Sequence, residues 1–364
     1  MENLVEKKTF WKDKKVLVTG HTGFKGSWLS LWLQQLGATV IGISLDPPTK
    51  PNLYEQACVA KGMISLRADI RDLEPIKEIF SHYQPEILIH LAAQPLVRYS
   101  YREPVETYTT NVMGTLHVLE SMRNINSIRS AVMITSDKCY NNQEWIWGYR
   151  ENESMGGHDP YSSSKGAAEL LISSYRNSYY NKVDQSNFTA IATARAGNVI
   201  GGGDWAEDRL IPDIIRAFKK NELVKIRNPH SIRPWQHVLE PLEGYLELAK
   251  QLYKKGAPYA EPWNFGPLEK DAQPVQNIVK IMADLWGDGA SWELDQKDHP
   301  HEANYLKLDC TKANSQLGWR PKWDLEFALT KIIDWHKAEQ QKFDLHELSI
   351  NQIEAYQTGP LMNE

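Results

Sequence analysis

Apolar and polar positions along the chain switch repeatedly between two periods. Lys15–Thr19 is a short apolar run with β-branched residues and predicts a buried strand. After it, Leu29, Trp32, Leu33 and Leu36 recur at helical spacing, and Gly37 is a suitable stop. Thr39–Ile43 predicts the next strand, followed by Met63–Arg67, Glu86–Leu91, Ser130–Ile134 and Thr189–Ala194. Helical patterns cover Leu73–Tyr83, Val105–Arg123 and Tyr161–Tyr179. Strands alternating with helices predict an α/β fold with a Rossmann-type, doubly wound parallel sheet. Right-handed crossovers then bring the carboxyl ends of the strands to one edge.

The pattern loosens after Gly201-Gly-Gly-Asp204, where proline, tryptophan and charge interleave. Helices are expected at about Leu210–Lys219 and Leu239–Tyr253, and a strand at Trp263–Phe265. This predicts a smaller mixed α/β C-terminal lobe. The expected division is residues 14–200 for the sheet domain, with later returns near 234–265, and 201–233 plus 266–345 for the lobe. Order is expected to begin near Lys14, and from about Phe343 the sequence gives no usable signal. Most of the 13 tryptophans read as core or interface residues. Trp205, just after the glycines, is a candidate to face a ligand.

Composition narrows the function classes. Of 364 residues, 41% are hydrophobic and 24% charged, as in ordinary globular proteins. A formal net charge of -5 without a long basic run argues against nucleic acid as a partner. Three widely spaced cysteines fit a reducing cytoplasm better than a disulfide framework. There is no signal-peptide pattern in Met1–Lys15 and no apolar run near the ~20 residues of a membrane span, so no membrane partner is expected. No metal site is expected: His299-Pro-His301-Glu302 lacks the second histidine of a zinc helix motif.

Candidate chemistry gathers at the predicted edge. Gly20-His-Thr22-Gly23-Phe24-Lys25-Gly26 lies between the first strand and its helix. Glycines there allow a tight turn and close approach to a pyrophosphate, whose charge sits at the helix N-terminus. Asp69, Ala92, Ala93, the triplet Ser136-Asp137-Lys138 and Asn198 follow other strands. Tyr161 and Lys165 are four apart, on one helical face if Asp159-Pro160 starts the helix. A phenol beside an ammonium is a plausible proton-transfer pair, because the positive charge favours the phenolate. Arg209 and Arg233 are candidates for phosphate, which a guanidinium binds bidentately, and Asn198 for phosphate or sugar. The competing reading makes Ser136–Lys138 a solvated corner and Tyr161 a half-buried surface residue.

Gly20-x-x-Gly23-x-x-Gly26, Asp69, Asn111-Val-Met-Gly-Thr115 and Tyr161-x-x-x-Lys165 together resemble the extended short-chain dehydrogenase/reductase family, over about Lys14 to Trp335. An acidic residue after the strand-end Ser/Thr marks its sugar-nucleotide 4,6-dehydratases. Most of those read Thr-Asp-Glu; the lysine of Ser136-Asp137-Lys138 resembles the branch acting on CDP-glucose. Gly197–Trp205, Arg233–His237 and His301–Asp309 are similar to that branch as well. The resemblance implies NAD as cofactor, CDP-glucose as substrate and a homodimer or higher homo-oligomer. It implies cofactor contacts from Gly20, Thr22, Gly23, Phe24, Lys25, Gly26, Leu91, Ala92, Ala93, Tyr161 and Lys165, with Asp69 and Ile70 at the adenine. The family's acidic residue at the end of the second strand is here Ser44, with Asp46 as the substitute for holding the ribose. That departure bears on NAD affinity and on NAD-over-NADP preference.

The implied reaction moves a hydride from C4 to C6 of glucose through NAD, with loss of water. Tyr161 removes the C4 hydroxyl proton, Lys165 supports it, Ser136 hydrogen-bonds the same oxygen, and Asp137 protonates the departing C6 hydroxyl. Lys138 occupies the base position; it acts either as a neutral base or as a charged group polarising the ketone. A dehydratase for another nucleotide hexose, such as dTDP-glucose or GDP-mannose, and a 4-epimerase remain alternatives, as does a non-catalytic NAD-binding scaffold. An epimerase needs no acid at C6, and a scaffold needs no Tyr/Lys pair.

Overall fold

A computed structural model describes residues 2–180, 189–287, 289–295 and 305–359. Of the motifs above, His299-Pro-His301-Glu302 and the first part of His301–Asp309 lie outside the described residues. The centre of the molecule is a seven-stranded sheet, all parallel. Its strands are β1 (Lys15–Thr19), β2 (Thr39–Ser44), β3 (Met63–Arg67), β4 (Ile87–His90), β5 (Ser130–Ile134), β6 (Ala190–Ala196) and, later in the chain, Pro262–Phe265. The order runs from Pro262–Phe265 through β6, β5, β4, β1 and β2 to β3, so the direction of winding reverses beside β1. β4, β5 and β6 are buried along their whole length, which is why they read as mainly apolar runs rather than as alternating ones, with Thr193 and Arg195 the polar exceptions in β6.

Two apolar cores cover the two faces. One holds Trp28, Leu31, Trp32, Val132, Ala192, Leu242, Tyr245 and Trp335. The other holds Ile76, Phe80, Val118, Leu119, Met133 and Ile172. After β6 the chain forms small accessory sheets. β7 (Asn198–Ile200) pairs with β9 (Ile232–His237), and β9 pairs with β11 (Ala272–Pro274). β8 (Val224–Ile226) pairs with β12 (Trp292–Leu294), which leaves Pro262–Phe265 as β10. The helix Leu239–Lys255 packs back against β4, β5 and β6.

Several expectations need correction. Order does not begin at Lys14: a helix spans Glu2–Trp11, with Trp11 in the core and Lys7 ion-paired to Glu243. The stretch after Phe343 is not featureless: Asp344 caps a helix over Leu345–Thr358, accepting from the N–H groups of His346 and Glu347. Tyr356 of that helix donates to Glu240 at 2.6 Å. The single helix expected over Val105–Arg123 contains a π-helical turn at Thr109–Gly114, between α-helical Pro104–Tyr108 and Thr115–Met122. Trp205 does not face a ligand; it is buried, donates to Gln56 at 2.9 Å and packs edge-on against His336. Among the described residues, no helix is long and apolar enough to cross a membrane, and no group of His, Cys, Asp and Glu could hold a metal.

Candidate active site

The first strand runs directly into the glycine loop. Gly20 has φ +76°, and a Cβ there would come within 2.8 Å of the Ala92 nitrogen. A Cβ on Gly26 would lie 2.0 Å from the Gly20 oxygen. The sequence therefore needs glycine at both places to seat the helix Phe24–Gln35 on the end of β1. Gly23 caps that helix without a side chain. Its first N–H groups are left to a ligand or water, and the helix dipole favours an anion there. This donor set fits a dinucleotide diphosphate. Phe24 is half-buried, its ring close to Gly201. Leu91 and Ala92 continue from β4, with the Ala92 N–H donating to the Thr19 hydroxyl at 3.1 Å, and Ala93 is half-buried beside them.

Toward β2 and β3 the edge is polar and more open. Ser44 is bonded to Thr22, hydroxyl to hydroxyl, at 2.7 Å. Asp46 is 90% exposed and accepts from Arg67 at 2.8 Å. Asp69 accepts three bonds from the Arg71 side chain, at 3.0, 2.8 and 2.6 Å, and one from its backbone N–H at 2.9 Å. Burial opposes ionisation of Asp69, but Arg71 outweighs it and holds the carboxyl below its ordinary range. The Ile70 side chain lies in the core, near Gly114, while its carbonyl bonds His117, so only its backbone remains for an adenine.

At the β5 end the residues are buried. Ser136 closes the strand and caps a short turn, Asp137–Cys139, accepting from the Lys138 N–H at 3.2 Å. Its hydroxyl donates to Asp137 at 2.9 Å. Asp137 is only 3% exposed. Burial raises its pKa, partly offset by Lys138, the Ser136 bond and Arg233. Lys138 is half-buried beside it. Asp159 caps the helix Pro160–Tyr175, which presents Tyr161 and Lys165 as expected from their spacing. The Tyr161 N–H is held by the Ser100 hydroxyl at 3.1 Å.

The electrostatics of this pair differ from the expectation. Burial drives Tyr161 up to about 12, with Ser136 and Arg209 working against the rise. Burial also lowers Lys165 to about 8, although Glu169 works the other way. Desolvation, not the neighbouring ammonium, dominates the phenol. Lys25 falls to about 7 through burial and the charges of Arg209 and Lys165, against Asp137 and Asp204. Three basic groups, Lys25, Lys165 and Arg209, thus converge on this end of the edge.

Asn198 opens β7 just beyond β6 and is half-buried. Arg209 stands at the N-terminus of the helix Leu210–Lys219 and pairs with Asp204 at 3.0 Å. Arg233 is buried on β9, bonds the Ile232 carbonyl at 3.0 Å and acts electrostatically on Asp137. A separate cleft of about 660 Å³ is lined by Trp147, Arg150, Pro234, Lys307 and Asp309, among others, and by none of the catalytic candidates. The sequence reading missed Glu169 and Arg195, buried directly behind the triplet; Asn111, named above only as part of a family motif, bonds Ser164 at 2.9 Å and the backbone carbonyl and N–H of Gln94.

Comparison with known proteins identifies the family. The family model for GDP-mannose 4,6 dehydratase matches residues 17–332. The CDP-glucose 4,6-dehydratase of Salmonella typhimurium is 57% identical over 97% of this chain and 98% of that protein. The dTDP-glucose 4,6-dehydratase of Escherichia coli is 27% identical over 88% and 93%. Among solved structures, a UDP-glucose 4-epimerase of Thermotoga maritima matches with TM-score 0.77 and 24% identity over 89% of this chain and 99% of that one. A UDP-glucuronic acid 4-epimerase from Bacillus cereus, in complex with UDP-glucuronic acid and NAD, matches with TM-score 0.76 and 22% identity over the same shares, 89% and 99%. The two structures share the fold, and the sequence relatives decide the family: the chain belongs to the GDP-mannose 4,6-dehydratase family of nucleotide-sugar enzymes.

Proposed function

We propose that this chain is a nucleotide-sugar 4,6-dehydratase that converts CDP-glucose to CDP-4-keto-6-deoxyglucose with loss of water, using NAD. The observation that carries the reading is Asp137, a buried carboxyl held above its ordinary pKa directly beside Ser136, in the field of Tyr161. The 57% identity to a CDP-glucose 4,6-dehydratase supports the choice of nucleotide.

When bound, NAD supplies the acceptor for the C4 hydride and returns it to C6. Gly20, Thr22, Gly23, Phe24, Lys25 and Gly26 would hold its diphosphate, and Asp69, the Ile70 backbone and Leu91–Ala93 its adenosine side. Tyr161 takes the proton of the C4 hydroxyl. Ser136 hydrogen-bonds that oxygen, and the Lys165 ammonium stabilises the phenolate that must form. Asp137, whose protonated form is favoured by burial, gives its proton to the C6 oxygen as water leaves. Lys138 is placed for the C5 proton: it takes that proton directly and returns it to C5 after water has left, or, as a charged group, it polarises the C4 ketone or orients a water that carries the proton off and back. Arg209, Arg233 and Asn198 would hold the sugar diphosphate, where the convergence of cations suits an anion.

We further assign residues 14–200, with later returns near 234–265, to cofactor binding and residues 201–233 and 266–345 to substrate. The protein would act in the cytoplasm as a homo-oligomer, for which exposed Tyr101, Val105 and Leu170 on neighbouring helices offer an apolar surface. Incubation with NAD and, separately, CDP-, dTDP-, GDP- and UDP-hexoses, followed by mass loss of one water, tests the reading. CDP-glucose should turn over best. Faster turnover of dTDP-glucose would overturn the nucleotide assignment and leave the reaction class standing.

A further inference from the structure

Directly behind the catalytic candidates lies a buried polar unit that the reaction above does not use. Glu169 is one helical turn beyond Lys165, and Arg195 is on β6; their side chains are 4% and 2% exposed. Arg195 grips Glu169 with two nitrogens, Nε at 2.9 Å and Nη2 at 2.8 Å. The same carboxylate accepts from the hydroxyl of Thr193, at 2.9 Å, and from the hydroxyl of Thr135, the residue before Ser136. Arg195 also donates through Nη1 to the Tyr140 hydroxyl at 2.7 Å and to the Glu151 carbonyl at 3.0 Å. Tyr140 in turn donates to Asn264 on β10 at 2.7 Å. One carboxylate therefore ties three elements together: the end of β5, β6, and the helix that carries Tyr161 and Lys165.

We propose that Glu169 and Arg195 are a positioning pair for the proton-transfer site, an inference that rests on the function proposed above. The pair fixes the Ser136–Lys138 strand end against the Tyr161–Lys165 helix and keeps the charge behind Lys165 balanced. A lone carboxylate at this depth would hold a proton on Lys165, and a lone guanidinium would expel it. The paired groups do neither. Other groups in the field of Lys165 are Cys139 beyond β5, His90 at the end of β4, Lys25 on the glycine loop and Tyr161 on its own helix. His90 is neutral, because burial drives it to about 3, and its ring bonds Thr19 and Thr115. Glu169 is thus the one anion among these that lies on the same helix face, and Arg195 is its counter-charge.

A purely structural pair would lower stability when cut and leave the proton affinity of Lys165 alone. The test measures that affinity without turnover, as the pH dependence of trace acetylation of Lys165 read by peptide mass spectrometry. Glu169→Gln leaves Arg195 uncompensated and should move the Lys165 titration down by roughly one pH unit or more; Arg195→Met should move it up by a similar amount. The double variant should return close to the unaltered protein while remaining less stable. In the pH profile for C4 oxidation, the acid limb reports the first proton lost by the Tyr161/Lys165 pair and should shift the same way in each variant. Folded single variants with an unmoved titration, or moved in one common direction, would overturn the proposal. If the charge variants do not fold, Thr135→Val cuts one bond and keeps both charges: kcat for C4 oxidation should fall with KM and the Lys165 titration unchanged. An unchanged kcat there overturns the positioning role. Failure of the proposed function looks different, because the unaltered protein would then lose no water from any sugar nucleotide.

Discussion

Asp69 and Asp137 stand two residues past β3 and three past β5, on the same edge of the same sheet, and the fold treats them oppositely. Arg71 reaches back to Asp69 with two nitrogens and keeps it ionised in spite of partial burial. Asp137 has the Ser136 hydroxyl and the Lys138 backbone N–H as partners, with the charges of Lys138 and Arg233 opposing the rise, and burial wins. One carboxylate remains a fixed acceptor suited to holding a ligand, and the other remains a proton carrier suited to chemistry. The difference teaches that position on the sheet edge gives access, while the immediate partner decides the role.

The comparison can be sharpened first on the chemical side. Tyr161→Phe keeps the ring and removes the proton acceptor. C4 oxidation should fall by ~10²–10⁴-fold, measured as reduced nicotinamide formed in a single turnover with CDP-glucose. Near-normal formation would take Tyr161 out of its role.

On the binding side, Asp69→Asn should weaken NAD by roughly tenfold, the scale of one hydrogen bond to a charged group, with kcat at saturating NAD unchanged. Asp46→Ala should do less, because Asp46 is 90% exposed and only paired with Arg67 at the surface. Equilibrium dialysis with both variants decides this. A larger effect at Asp46 would return the ribose role to it and reverse the order assigned to the two carboxylates.

The smallest effect extends the rule beyond the site. Glu240 is buried and its pKa is raised to about 8 by burial, against bonds from Tyr356, Trp323 and Lys322. Its folded value lies above the unfolded 4.5, so the folded protein holds the extra proton between them. That contribution to stability is complete below 4.5 and is lost as pH rises toward 8. Glu240→Gln should therefore flatten the fall in stability over this window. Urea melts across the range would show it; parallel curves for the two proteins would contradict it.

Much of this was legible because burial and period leave marks in sequence. β1, β3 and β5 match their expected runs residue for residue; β1 and β5 are buried strands, which read as near-continuous apolar runs, and β3 is the partly exposed edge strand of the sheet. The sheet edge and the spacing of Tyr161 and Lys165 followed from the same pattern. What stayed hidden depends on distant partners. The helix Leu345–Thr358 is fixed by contacts such as Tyr356 with Glu240 and Trp32, far away in sequence. The rise of Tyr161 to about 12 reflects the balance of desolvation over charge, and spacing carries no measure of depth. Glu169 and Arg195 did leave a trace. Arg195 interrupts the wholly buried strand β6, and Glu169 repeats the four-residue step from Lys165. A charge inside an apolar run asks for a buried partner.

The central claim is that Asp137 serves only the elimination step, and one measurement reaches it directly. Asp137→Asn keeps size and hydrogen bonding but has no acidic proton to give. The variant is mixed with CDP-glucose and NAD in a single turnover, following reduced-nicotinamide absorbance and the mass of the sugar nucleotide together. The account predicts that reduced nicotinamide and the 4-keto-glucose nucleotide accumulate while water loss slows by ~10²–10⁴-fold. Water loss at the unaltered rate would show that Asp137 is not the acid. A folded variant that binds NAD yet forms no reduced nicotinamide would place Asp137 in the first step or in substrate binding, and would contradict the division of labour between the buried carboxyl and the Tyr161/Lys165 pair.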